Sequence, residues 1–146
     1  MSAHELHSER VRAAEAAREL SEVIGRMVSL LRFESSDVYE ICRSAFDGAK
    51  ILNYSEFTSI SQGDFPVLWQ NACLSLKVDD ETRRIFSLAG SVLGCFDLQS
   101  QTERLMQLQE ELHTHAESLK KKAENERKLY VTLGAAFGIT VSIIII

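Results

Sequence analysis

Apolar residues recur along this chain in steps of three and four, the spacing of a helix with one buried face. Ala13, Ala17, Leu20, Ile24, Met27 and Leu31 form the first such stripe, while Arg12, Glu15, Glu19, Glu22 and Arg26 fall largely off it. This predicts a helix from about Glu9 to Leu31, after a flexible start over residues 1–8 that carries His4 and His7. The polar break at Glu34, Ser35 and Ser36 ends it. Ser36 or Asp37 caps a second helix over Val38 to Ala49, and Glu40 follows Asp37 at capping-box spacing. Val38, Ile41, Cys42 and Ala45 are its inward positions.

The stretch from Ile51 to Gly63 is irregular, rich in Ser, Thr, Asn and Gly, with a short helical piece over Tyr54 to Ile60. Asp64, Phe65 and Pro66 open a third helix, because proline is preorganised for a first helical position. It carries Val67, Leu68, Trp69, Ala72, Cys73 and Leu76, with Trp69 expected in the core. Asp79 or Asp80 starts a fourth, whose apolar face is Ile85, Phe86, Leu88, Ala89, Val92 and Leu93. It stops near Gly94, a residue suited to a helix C-terminus.

Asp97 then caps a long fifth helix that shows no break from Leu98 onward. Leu98, Leu105, Leu112 and Leu119 recur every seven residues, and Leu108 and Ala116 thicken the stripe. Such a face packs on the first helix or on another chain. Gln101, His115 and Lys122 are poor residues for the alternate positions of a coiled coil, so packing within a bundle is favoured.

From Leu129 to Ile146 the sequence carries no charge. As a helix this stretch is about 27 Å long, close to the thickness of a hydrocarbon core. Lys120, Lys121, Lys122, Arg127 and Lys128 stand just ahead of it, and Tyr130 falls at interface depth. A basic run beside an apolar span holds its side in the cytoplasm and attracts anionic lipid headgroups. Gly134 and Gly138 form a small-xxx-small notch that a second membrane helix can approach. The expected fold class is all-α: an antiparallel helical bundle over 9–128, with a long last helix continuing into a C-terminal transmembrane segment over 129–146.

Composition narrows the function. The 146 residues allow one small domain, and a net charge of -5 argues against nucleic-acid binding. Cys42, Cys73 and Cys95 are widely spaced and odd in number, as for small buried residues in a reducing compartment. No phosphate loop, dinucleotide fingerprint or nucleophile elbow occurs. His113 and His115 face different sides of one helix and cannot share a metal. The expectation is a protein-binding chain, not an enzyme, with no cofactor, metal or small-molecule substrate.

The stretch from Thr82 to the end holds a more specific pattern. Leu93-Gly94, Asp97 and Gln101 spell LGxxDxxxQ, and a Leu-rich helix, Lys128-Leu129-Tyr130, Leu133-Gly134 and an apolar terminus come after it. In physical terms the motif is a corner: Gly94 lets the chain leave one helix, Asp97 caps the next, and Gln101 bridges back. In combination these features resemble the stage III sporulation protein AB family. That family is similar in fold to the cytoplasmic bundle of the type II secretion inner-membrane platform protein.

The resemblance implies a scaffold subunit of a sporulation-specific, secretion-like channel complex between mother cell and forespore. The implied partners are a secretion-type ATPase, stage III sporulation protein AA, and other membrane subunits. The bulk of the domain is then expected on the cytoplasmic, mother-cell side of the cell membrane. Gly94, Asp97 and Gln101 are candidates for a partner contact as well as a corner. The sequence departs from the family pattern in two places. It begins on polar residues at Met1 where members usually have a membrane helix, and it has Ser35-Ser36 where a Thr-Pro pair is common. The alternative reading is a tail-anchored coiled-coil adaptor that dimerises through the heptad leucines.

Overall fold

A computed structural model describes residues 3–34, 37–94 and 97–145, with side chains described for 4–34, 37–94, 97–129 and 131–136. Six helices follow in order: α1 (Ala3–Phe33), α2 (Val38–Ala45), α3 (Ser55–Thr58), α4 (Phe65–Leu74), α5 (Asp80–Val92) and α6 (Leu98–Ile145). The described residues contain no strand, so the chain is all-α.

α1 and α6 form the antiparallel spine. Arg10 pairs with Glu126 near one end, and Arg32 reaches Met106 Sδ at 3.4 Å near the other. α2 packs on α1, α5 on α6 and α4 on α5, while α3 links α2 to α4. Leu20, Ile24 and Met27 of α1 are fully buried with Leu105 and Leu112 of α6. An aromatic cluster fills the other half of the core. Phe57 meets Trp69 edge-on at 4.8 Å between centroids, and Trp69 packs on Phe86 at 5.1 Å. Trp69 has no exposed surface, and its indole N–H donates to the Phe86 carbonyl at 3.0 Å, as a buried polar tip requires.

The helix starts follow local chemistry. Asp37 accepts from the Tyr39 and Glu40 N–H groups, both at 2.9 Å, and Pro66 sits in the first turn of α4. α1 begins at Ala3 rather than near Glu9, because its first turns lie along α6, where packing supplies what an isolated helix end lacks. α2 ends at Ala45 rather than Ala49. The chain turns there through Gly48, whose φ of 81° suits glycine. The helical piece expected over Tyr54 to Ile60 is the single turn of α3. Leu88, expected on the apolar face of α5, is 41% exposed.

The heptad leucines are consumed inside the chain. Leu105 and Leu112 are fully buried, and Leu119 packs against the core. Leu98 alone of the four is open, at 54% exposure. An intermolecular zipper would have to pull the middle leucines out of the bundle, so the coiled-coil adaptor loses its seam.

Three charged side chains tie the loops to this spine. Glu19, grouped by periodicity with solvent-facing residues, is only 6% exposed. Its carboxylate accepts from Lys50 N at 2.8 Å, Ile51 N at 2.9 Å and the Tyr54 hydroxyl at 2.5 Å. The loop after α2 folds over Glu19, which periodicity within α1 does not report. Arg83 donates to the carbonyls of Cys73 at 3.3 Å and Leu76 at 2.7 Å, fixing the α4–α5 turn. Asp79 caps α5 by accepting from Thr82 N at 3.2 Å, and it meets His115 Nε2 of α6 at 2.6 Å.

Burial raises the pKa of Asp79, but hydrogen bonds from Thr82 and His115 lower it and prevail, so its carboxyl lies below the usual range. A depressed folded-state pKa contributes stability that is present above the unfolded value of about 4 and lost as pH falls through the folded one. Melting curves between pH 7 and pH 3 should therefore show the wild type losing stability at the acid end. Asp79→Asn should start lower at pH 7 and fall less steeply. Parallel curves for the two chains would exclude Asp79 as a source of the acid sensitivity.

Cys42 and Cys73 are buried and free, as expected. Burial pushes the Cys73 thiol up to about 11, far from a reactive thiolate. Cys95 lies outside the described residues.

Among the described residues no helix is long and apolar enough to cross a membrane. The expected span over 129–146 runs onto 137–146, whose side chains are outside those described.

Candidate functional site

The LGxxDxxxQ stretch folds as the corner between α5 and α6. α5 ends at Val92, and the Leu93 N–H still bonds to the Ala89 carbonyl at 3.2 Å. Gly94 then takes φ 78°, a left-handed conformation that costs a side-chain-bearing residue energy. Asp97 Oδ1 accepts from Ser100 N at 2.8 Å, closing the exposed start of α6. Gln101 Oε1 accepts from Gly94 N at 2.9 Å, so the residue one turn into α6 holds the end of α5. These three residues, named from the motif, are thus joined in one hydrogen-bonded unit. Residues 95 and 96 between them lie outside the described ones.

Hydrogen bonds from the Ser100 side chain and backbone hold the Asp97 carboxyl below the usual range. The corner therefore presents an ionised carboxylate at physiological pH, on the end of the bundle opposite the basic run. Chemically it can accept hydrogen bonds or meet a cation of a partner. Asp97→Ala should lower the melting temperature by a few degrees through loss of the cap. If partner binding is lost with the melting temperature unchanged, Asp97 is a contact residue rather than a cap.

The other end of the spine carries the basic run. Lys120, Lys121, Lys122, Arg127 and Lys128 are all exposed on α6, and α6 continues without a break past Lys128. Tyr130 and Gly138 belong to this helix, but their side-chain positions lie outside the described ones. A Cβ built at Gly134 meets nothing within 4 Å, so the space at Gly134 is open among the described residues.

No group of three or more His, Cys, Asp or Glu able to hold a metal occurs among the described residues. Sequence reasoning missed two polar features, the Glu19 clamp and the Asp79–His115 contact. Each joins residues more than thirty positions apart, and neither spacing has a local signature.

No curated protein and no solved structure matches this chain. The family model described as Stage III sporulation protein AB matches residues 6–146. With that match covering the corner, the spine and the apolar end, the chain belongs to the stage III sporulation protein AB family and has a role in sporulation.

Proposed function

We propose that this chain is a non-enzymatic scaffold subunit of a sporulation-specific, secretion-like complex, anchored in the cell membrane by 129–146. It docks a secretion-type ATPase, stage III sporulation protein AA, and other membrane subunits through its helical bundle. The observation that carries this reading is α6. It is one continuous helix from the packed spine at Leu98, past five exposed cations, into a stretch without charge. A rigid rod of this kind couples whatever binds the bundle to whatever holds its end. At about 1.5 Å per residue the part from Leu98 to Lys128 alone is roughly 45 Å long.

Anionic headgroups are the natural counterparts of the basic run, and the open notch at Gly134 suits a neighbouring membrane helix. The corner at Gly94, Asp97 and Gln101 lies at the far end of the rod, where a cytoplasmic ATPase has room to bind.

Membrane fractionation tests the anchor. The full chain should sediment with membranes and resist alkaline carbonate, while a chain ending at Lys128 should stay in the supernatant. The ATPase contact is tested by co-purification from detergent, where Asp97→Ala should reduce recovery of the ATPase. Full-length chain found in the supernatant without detergent would end the proposal.

A further inference from the structure

We propose that the cavity between α1 and the two loops at 51–55 and 75–77 binds an acidic peptide segment of a partner protein. Its volume is about 510 Å³, within the range of sites that enclose a ligand. Arg12 enters it from α1, and Lys77 from the α4–α5 turn. Among the described residues neither cation has an ion-pair or hydrogen-bond partner. Most of the arginines around them do, including Arg10, Arg18, Arg83 and Arg84.

The two loops that form its walls are held in place from behind. Glu19 fixes the first by three hydrogen bonds, to Lys50 N, Ile51 N and the Tyr54 hydroxyl. Arg83 fixes the second through the carbonyls of Cys73, Leu76 and Val78. Two independent charged groups, Glu19 buried and Arg83 half-buried, leave these loops little freedom to lose when a ligand enters.

The lining specifies the ligand. Two unpaired cations call for carboxylates, and arginine binds them with a two-pronged geometry. Ile51 and Leu52 supply apolar wall, which a small free anion would leave uncovered. Ser55 adds a hydroxyl, and Glu56 adds an acceptor suited to the N–H groups of a peptide backbone. The chain as a whole is acidic, at -5. Attraction for an acidic segment is therefore confined to local groups of cations, this cavity and the basic run of α6, which the test separates.

The test uses the full chain in zwitterionic detergent and a short fluorescein-labelled peptide of Asp, Glu, Leu and Ser, read by anisotropy. The double variant R12S/K77S should weaken binding by about tenfold or more, since each lost charge-assisted pair is worth roughly that factor. Both side chains are exposed, so its melting curve should match the wild type. Arg43→Ser, which removes an exposed cation away from the cavity, should leave the affinity alone. Unchanged affinity in R12S/K77S would place the peptide on the basic run of α6 and overturn the proposal. Equal binding of the Asn/Gln version of the peptide would overturn it too. So would a double variant that loses binding only to phosphatidylglycerol vesicles, which would make the ligand a lipid.

Discussion

Replacing Gly90 by alanine should destabilise the bundle by about 2 kcal/mol or more, although alanine is the better helix former. In α5 the substitution alone gains up to about 1 kcal/mol of helix propensity. Against this stands Trp69. A Cβ built at Gly90 overlaps Cδ1 and Cγ of the Trp69 indole and lies 2.8 Å from Trp69 Cβ. The ring cannot swing away, because it is fully buried, hydrogen-bonded to Phe86 O and packed by Phe57, Phe65 and Phe86. Overpacking of a tight core costs about 3 kcal/mol at the upper end of its usual range, more than the propensity gain. Urea denaturation followed by circular dichroism should show the lower midpoint with an unchanged slope. Trp69→Leu costs stability by itself, but in that background Gly90→Ala should cost much less, since the two effects share one contact. Equal costs in both backgrounds would show that the Trp69–Gly90 approach is not the cause.

The second large effect is expected at Glu19. Glu19→Ala removes a carboxylate that satisfies three donors and leaves Lys50 N, Ile51 N and the Tyr54 hydroxyl without it. Each buried donor left unpaired costs about 1–3 kcal/mol, and water entering the gap recovers part of that. A net loss of about 3 kcal/mol is expected. Glu19→Gln should rescue little, because one end of the amide is itself a donor facing donors. Tyr54→Phe removes only one of the three bonds and should cost about 1 kcal/mol. Burial first, and then the bond to Glu19, push the Tyr54 pKa up, so its hydroxyl remains a donor across the ordinary pH range. Hydrogen exchange at Lys50 and Ile51 should speed up sharply in Glu19→Ala. Unchanged exchange there would mean that the loop is held by something other than Glu19.

The corner was legible residue by residue. Gly94, Asp97 and Gln101 lie within eight positions, and helix stops and caps are set over that range. The registers of α1, α5 and α6 were legible for the same reason, since an apolar stripe is a property of one helix. Other features escaped. Gly90 looks like any helical glycine until Trp69 arrives from α4. Glu19 looks like any exposed carboxylate until the loop at 50–54 closes over it. His115 looks like a flaw in a leucine heptad until Asp79 of the neighbouring helix meets it. Leu88 erred in the opposite direction: it is an apolar position that its neighbours leave 41% exposed.

The sequence by itself determined that this chain is helical, where most of its helices begin and end, and that its last helix is long and basic before an uncharged end. It also determined the family, through the LGxxDxxxQ corner together with the Leu-rich helix and apolar terminus beyond it. Only the tertiary structure decided that the later heptad leucines are spent within the bundle, that Glu19 holds the loop at 50–54, that Gly90 lies against Trp69, and that Arg12 and Lys77 share a cavity. Helix propensity and capping act between residues a turn or two apart, so one stretch of chain contains all the information. Burial and close approach depend on which distant segments meet, and no single stretch of chain carries that.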